Sequence, residues 1–463
     1  MKALILIFSG AILLLFSGLG KSERRMLPLV WLTLLLALVM NGLEYFGWEL
    51  PWEQQWMSML RFNKFSLAFN FLLTMLAFLA SLLFVPRLED KGADVFALML
   101  FSLCGALLMT SFNSFFMLFL GLEIMSIPLY VLAGSRKEDL RSNEAALKYY
   151  LMGSFATAIL LFGVAMVYGT TGSFDIYEIG LRYTGAAMLT GLTPMAKIGI
   201  LMVLFGLLFK IAAAPFHFWA PDVYTGSPGR VTAFMATVVK TAGIVAMFRI
   251  YAISFGIADN IWGPSLAVLA ALTMLVGNLS ALRQNSLKRM LAYSSVAHAG
   301  YLLLAILVHN PTSSKALLLY MTGYGLAALV AFALIQKVNR EQGSEDVSAF
   351  NGLAKRYPLE SFALLISLLS MTGIPGTAGF AGKYFLFSSA FTAYTWLIIL
   401  ALVLSAVSVA YYFRAIIAMY FKDADISSEE GTTSVVHVRV ALIACTLLNI
   451  AAGVAPWVIL EQI

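Results

Sequence analysis

Fourteen stretches of this chain are close to 20 residues long or longer and almost wholly apolar, at about 3–20, 26–43, 65–85, 94–112, 114–134, 145–169, 192–214, 230–256, 261–281, 290–308, 314–337, 358–392 (interrupted), 396–421 and 435–457. About 20 apolar residues are what a helix needs to cross a hydrocarbon core. Backbone that crosses lipid must pair its own N–H and C=O groups, so runs of this length are confined to helices. The expected fold is therefore an all-α polytopic membrane protein of about fourteen transmembrane helices. Composition agrees: 61% of residues are hydrophobic and 12% charged, against about 45–50% and 25% in soluble domains. The longest polar loop, near 337–357, is too short to bury a core, so no separate soluble domain is expected. The net charge of +6 is read as a topology signal, not as a nucleic-acid footprint.

Lysine and arginine separate the loops into two sets. About seventeen fall in one, including Lys21, Arg87, Arg136, Lys137, Arg141, Arg283, Lys288, Arg289, Lys355 and Lys422; the other holds Lys2, Arg61, Lys64, Arg182 and Lys315. The richer set is assigned to the cytoplasm, which puts both termini outside. The first segment lacks a small-residue cleavage site and is followed by KSERR, so it is read as a retained helix. The Trp- and Glu-rich stretch 44–61 reads as an interfacial loop. Cys104 and Cys445 lie far apart in apolar segments and support no metal site, cluster or disulfide framework.

Charges inside the apolar runs are the functional signal. Glu123, Lys210, Lys240 and Lys383 all lie well inside segments that read as spans. Each costs roughly 2.5–3.5 kcal/mol at the bilayer centre, and the four together roughly 10 kcal/mol or more. Charges carried at that cost are most often there to move an ion. Lys197 sits near the end of its run and reads as snorkelling to the interface.

The chain also repeats itself. ALKYYLMG at 146–153 and ALLLYMTG at 316–323 share one pattern, Arg249 and Arg414 recur at a similar offset, and the helices bearing Lys210 and Lys383 are both interrupted, at AAAPFHFW and GIPGTAGFAG. These matches make 94–256 and 261–421 two copies of a five-helix unit. Five is odd, so the second copy is inverted in the membrane, a transporter design. Segment 1–93 supplies three helices before the copies and 435–463 a last one after them. The breaks have local causes: Pro215 and Pro375 lack an N–H and clash with the carbonyls of Ile211 and Met371. Freed carbonyls in a membrane must face protein or a wet cavity, which places Lys210 and Lys383 beside such backbone, where each can change protonation.

Six motifs carry a family resemblance: GLEIMSIPLYVL (121–132), AALKYYLMGSFATAILLFG (145–163), LLFKIAAAPFHFWAPDVYTGSP (207–228), ATVVKTAGI (236–244), LAYSSVAHAGYLL (291–303) and GIPGTAGFAGKYFLF (373–387). Together they resemble the antiporter-like membrane subunits of respiratory complex I and of Mrp-type sodium/proton antiporters, over about 94–421. The N-type branch fits best. The chain stops after its fourteenth helix without the long lateral helix of the L type, and residue 383 is a lysine where the M type has an acid.

By this resemblance the glutamate of the fifth helix is Glu123 and its sixth-helix partner Lys148. The broken seventh helix carries Lys210, with His217 after the break. Lys240 is the eighth-helix lysine, His298 the tenth-helix histidine of some members, and Lys383 the lysine of the broken twelfth helix. The resemblance implies a hydrated polar row that relays protons while NADH reduces quinone in other subunits. NADH, FMN, Fe–S clusters and quinone are accordingly expected in partners, namely a neighbouring M-type subunit and small K- and J-type subunits, and no cofactor in this chain. It implies a multi-pass protein of the bacterial inner membrane whose translocase activity belongs to the whole complex. GTAGFAG is a helix break, not a dinucleotide fingerprint, since no strand precedes it.

Other readings stand beside these. Lys148 is within about a turn of the membrane edge and could snorkel. Lys383 could merely serve the carbonyls freed at its break, and His217 and His298 could be structural. Arg249 and Arg414 read as anchors and Asp222 as a loop cap. For the whole chain, the alternatives are an Mrp-type antiporter subunit, the membrane arm of a related hydrogenase, and a scaffold whose charges only hold helices together.

Overall fold

The structure is a computed structural model that describes residues 1–17, 23–48, 58–84, 94–189, 191–423 and 435–461. Lys21 and Arg87, used above for orientation, and half of the 44–61 loop, residues 49–57, lie outside the described residues. Among those described, the chain is all helix, with three isolated β-bridges and no strand.

Three N-terminal helices, α1 (Lys2–Ser17), α2 (Glu23–Tyr45) and α3 (Lys64–Leu83), precede two groups of similar order. The first group holds α4 (Asp94–Ser111), α5 (Phe115–Ala133), α6 (Leu140–Thr171), a short α7 (Ile176–Leu189) and α8 (Pro194–Lys210). After a break come α9 (Trp219–Gly226), α10 (Gly229–Phe234), a π-helical turn at Met235–Val239 and α11 (Lys240–Ile253). The second group holds α12 (Asp259–Leu282), α13 (Leu287–Val308), α14 (Pro311–Gln342), a one-turn α15 (Leu353–Arg356), α16 (Pro358–Thr372), a break, α17 (Ala378–Ala390) and α18 (Thr395–Phe421). α19 (Val436–Val454) and α20 (Trp457–Leu460) follow.

Eleven described helices, α10 to α11 counted as one, are long and apolar enough to cross a membrane by themselves. Of the expected spans, α1, α8 and the interrupted 358–392 segment fall short. The fifteen residues of α16 reach only about 22 Å at 1.5 Å each, so its end stays inside a core about 30 Å thick. Helix α7 falls where no element was expected; its Ile176, Ile179 and Tyr183 are buried on one side.

The same devices occur in both groups. Ser114 caps the start of α5 and bridges to Asp175; Ser286 caps the start of α13 and bridges to Asp346. Helices α6 and α14 each run 32 residues and end at a glycine with positive φ, Gly172 and Gly343. Arg249 of α11 donates to the carbonyl of Phe112, just past α4, at 2.7 Å. Arg414 of α18 donates to the carbonyls of Leu282 and Gln284 at the end of α12. A cation on the last carbonyls of a helix satisfies orphan acceptors and opposes the negative end of the helix dipole. Both arginines are thus anchors.

Close backbone approach is the other shared device. A Cβ on Gly105 of α4 would lie 2.2 Å from the Met125 nitrogen of α5, and one on Gly277 of α12 would lie 2.4 Å from the Ala297 nitrogen of α13. In lipid, where burial of apolar surface gives no drive between helices, small residues at crossings supply the packing. Helix α19 braces the second break: Asn449 donates to the Gly323 carbonyl of α14 at 3.1 Å and accepts from Ala378 N–H of α17 at 3.3 Å.

Gly105→Leu and Gly277→Leu should each overpack a backbone contact, at about 1–3 kcal/mol or more. Gly42→Ala, with nothing within 4 Å of the added carbon, serves as the control. Thermal unfolding in detergent should show a lower midpoint for the first two and none for the third; three equal midpoints would reject this view of the crossings.

Candidate functional site: a buried row of amines and hydroxyls

Lys210 is the last residue of α8 and is buried. Its ammonium donates to Ser126 Oγ at 2.6 Å and lies 3.4 Å from Tyr149 Oη, with the Tyr149 ring centroid at 5.5 Å. The Ser126 hydroxyl passes its own proton to the Leu122 carbonyl of α5, so its lone pairs are free for the lysine. A cavity of about 10 Å³, close to the minimum for one water, touches Lys210, Tyr130 and Gly153.

The freed backbone of the first break is not served by Lys210. The Phe209 carbonyl accepts from Trp219 Nε1 at 3.0 Å and from Ala212 N–H, while the N–H of Ala214 donates to Thr273 Oγ1 at 2.9 Å. An indole placed four residues past Pro215 therefore serves backbone beside Lys210.

Lys240 opens α11 directly after the π turn and is buried. It donates to both the backbone carbonyl and the hydroxyl of Ser295. One turn further along α11, Gly243 faces the stem of Lys210: a Cβ there would lie 3.7 Å from Lys210 Cγ. The two lysines thus share one helix surface.

Helix α13 carries Ser294, Ser295, His298 and Tyr301. Residues 294, 298 and 301 follow the i, i+4, i+7 spacing of a single helix face. His298 Nδ1 is 2.7 Å from Tyr320 Oη and its Nε2 is 3.2 Å from Tyr412 Oη, which in turn bonds Ser294. Tyr301 Oη accepts from Asn278 Nδ2 at 3.1 Å, and Asn278 Oδ1 accepts from Tyr411 Oη at 3.1 Å.

Lys383 lies beyond the second break, on α17. Its ammonium donates to the Met371 carbonyl, the Thr372 carbonyl and Ser405 Oγ, each at 2.9 Å. An ammonium has three N–H bonds, and all three are used. Met371 is the carbonyl that Pro375 cannot serve, so here the lysine does meet freed backbone. The Tyr301 ring lies 5.2 Å from the ammonium. A cavity of about 440 Å³ opens from Lys383 to the surface between Phe380, Tyr384, Phe391 and Leu402.

No Asp or Glu lies within 4 Å of the Lys210, Lys240 or Lys383 ammonium among the described residues. The three amines are held by neutral groups alone. Hydroxyls and imidazole both donate and accept, so the arrangement can pass protons where a row of carboxylate-paired lysines would fix them.

The expected pair of Glu123 with Lys148 is absent. Lys148 pairs with Glu144, one turn back on α6, at 2.6 Å and with Asp222 of α9 at 2.8 Å. Arg289 takes the other Asp222 oxygen at 3.3 Å. Helix geometry explains the choice: Glu144 is at i−4 on the same face, and α9 brings Asp222 over it. Asp222 is thus the hub of an ion-pair cluster on a helix, not a loop cap. The cluster walls a cavity of about 370 Å³. Glu123 is half-buried and makes no hydrogen bond or ion pair within the described chain. His217 joins none of these groups; its Nδ1 is buried without a partner and its ring rests on Phe218. Lys288, counted above as a loop cation, is buried and donates to the Thr225 and Ser227 carbonyls at the end of α9.

Sequence reasoning found the charged members of the row and missed its neutral ones: Ser126, Tyr149, Ser295, Tyr320, Tyr412, Asn278 and Ser405. Only the polar stripe of α13 was there to be found, as Ser294, His298 and Tyr301 in an otherwise apolar helix.

Comparisons place this arrangement among known proteins. The family described as "NADH:quinone oxidoreductase/Mrp antiporter, TM" matches residues 112–408. A "NADH-quinone oxidoreductase subunit N" from Cytophaga hutchinsonii is 40% identical over 437 residues, covering 94% of this chain and 92% of that one. A chain of respiratory complex I from Thermus thermophilus superposes with a TM-score of 0.82 at 33% identity, covering 99% of this chain and 98% of that one. A chain of the Mrp complex from a Dietzia species reaches a TM-score of 0.84 at 20% identity, covering 99% and 94%, a likeness of fold alone.

Asn278→Leu would strand the hydroxyls of Tyr301 and Tyr411 in the interior, a loss of about 1–3 kcal/mol. Asp222→Asn would loosen ion pairs at half-exposed side chains, worth about 0–1 kcal/mol. Detergent unfolding should rank the first well below the second; the opposite order would mean that the interior network is not satisfied as described.

Proposed function

Because this chain belongs to the NADH:quinone oxidoreductase/Mrp antiporter family of membrane subunits, with relatives named subunit N along its whole length, we propose that it is the N-type proton-translocating subunit of a bacterial NADH–quinone oxidoreductase. The observation that carries this reading is the row of three buried amines, Lys210, Lys240 and Lys383, interleaved with hydroxyls and the His298 imidazole and, among the described residues, without an adjacent carboxylate. Such groups are costly in a membrane and mark ion pathways. Protons enter by way of the Lys148–Asp222–Arg289 cluster, pass along the row, and leave on the opposite side. No redox chemistry falls to this chain; NADH, FMN, Fe–S clusters and quinone belong to its partners, an M-type subunit and small K- and J-type subunits.

The residues 94–256 and 261–421 are two inverted half-channels within a fourteen-helix protein of the inner membrane, with both termini outside. The doubled Ser caps, arginine anchors and glycine crossings support this. Coupling to the neighbours runs through the two flanks of the row. Glu123 stands half-buried and unpaired at one, and the cavity beside Lys383 opens at the other. With Lys148 engaged by Asp222, Glu123 is free to answer a charge on an adjoining subunit, and its own charge in turn biases Lys210.

One observation favours a structural part for Lys383: its three acceptors close the helix break. Membranes carrying Lys240→Ala, Lys383→Ala or Glu123→Gln separate the two parts. A relay gives a complex of full size on a native gel, with NADH-driven proton uptake into inverted vesicles reduced at least several-fold and turnover slowed. Loss of the complex in Lys383→Ala alone assigns that lysine to the scaffold. Normal pumping in all three variants rejects the relay.

A further inference from the structure

A second cavity lies away from the polar row. It is a groove of about 470 Å³ between α2, α3, α14, α19 and α20, walled by Leu67, Phe71, Met75, Leu318, Leu326 and Ala452 among others. Its two buried polar side chains are already satisfied. The Asn41 amide nitrogen faces the Leu67 carbonyl at 3.2 Å and its oxygen the Phe71 N–H at 2.8 Å, and Thr322 Oγ1 donates to the Leu318 carbonyl at 2.8 Å. Neither of these two side chains is free to bind an occupant, and hydrocarbon fills the apolar length of the groove without loss. It runs from Leu67 to Met75 along α3 and from Leu318 to Leu326 along α14, about 12 Å at 1.5 Å per residue. One leaflet of a hydrocarbon core is about 15 Å deep.

Two lysines stand at the end of the groove, and Glu44, next to the groove-lining Tyr45, is already paired with the Met1 amine and Lys2. Lys64 is three residues before Leu67 on α3, and Lys315 is three before Leu318 on α14, each on the groove-facing side of its helix. Side chains lean toward the helix N-terminus, so both ammoniums reach outward past the groove. Neither has a hydrogen-bond or ion-pair partner among the described residues. The first N–H groups of both helices are taken by capping boxes, Asn63 with Ser66 and Asn310 with Ser313, which leaves the two amines as the free donors there.

We propose that this groove is a phospholipid site, with one acyl chain between α3 and α14 and an anionic headgroup phosphate held by Lys64 and Lys315. The lipid joins the N-terminal helices to α14 and to the C-terminal α19 along the groove that they wall.

The test uses the purified intact complex in proteoliposomes with photoreactive phosphatidylglycerol, its diazirine in the acyl chain, and adducts mapped by mass spectrometry. Adducts on groove residues are expected. Ala68→Phe and Ala452→Phe, which fill the groove, should abolish them. Lys64→Glu with Lys315→Glu, at positions outside the packed core, should lower phosphatidylglycerol labelling by about fivefold for each ammonium removed while sparing a phosphatidylcholine probe. The proposal is overturned by absence of groove adducts in the unaltered complex, by labelling that persists in the filled variants, by equal loss of both probes in the charge variant, or by displacement of the lipid adduct with a quinone analogue.

Discussion

In hydrocarbon no carbonyl, N–H or ammonium can be left to solvent, and each must find its partner within the protein. The rest of this structure depends on that rule where it is hardest to obey, at the two helix breaks. At the first, Trp219 takes the Phe209 carbonyl and Thr273 the Ala214 N–H, and Lys210 is left to a serine and a tyrosine. At the second, Asn449 and Ser370 take the N–H groups of Ala378 and Gly379, while the Met371 and Thr372 carbonyls fall to Lys383 itself. Two breaks of similar cause thus leave their lysines in different electrostatic settings. The asymmetry is built from Trp219 on the same segment and from Thr273 and Asn449, which α12 and α19 bring in.

Much of this was legible before any coordinates. Apolar run length gave the helices, since nothing but a helix satisfies backbone in lipid, and proline placement gave both interruptions. The limits came from the same physics. Run length cannot see a helix such as α7, which buries only three side chains, nor tell a spanning helix from α16, which stops inside. The charged residues of the site announced themselves because a charge in an apolar run has few explanations. Serines and tyrosines did not, because a hydroxyl in a helix can bond its own preceding turn, as Ser126 and Thr322 do. Their second partners are fixed only by packing.

The pairing of Glu123 with Lys148 failed for a related reason. A resemblance between sequences names the residues but not the rotamers, and Lys148 has a nearer acid on its own helix face and another on α9. Asp222 looked like a loop residue because a helix of eight residues between Pro215 and Pro228 leaves little periodicity to read. Arg249 and Arg414 could be noticed as a pair because an arginine in an apolar run is rare enough for its recurrence to stand out; their acceptors, carbonyls at the ends of α4 and α12, could not be.

The shell around Lys383 ties chemistry to shape. Charged, the nitrogen has three hydrogens for three acceptors; neutral, it has two. Loss of one proton leaves two hydrogens for the Met371 and Thr372 carbonyls and gives the nitrogen a lone pair, so Ser405 must turn from acceptor to donor. Its hydroxyl already lies 3.4 Å from the Thr372 carbonyl, and Gly373, with positive φ, follows directly. The charge on Lys383 and the direction of one serine hydroxyl at the helix break are thus tied to each other.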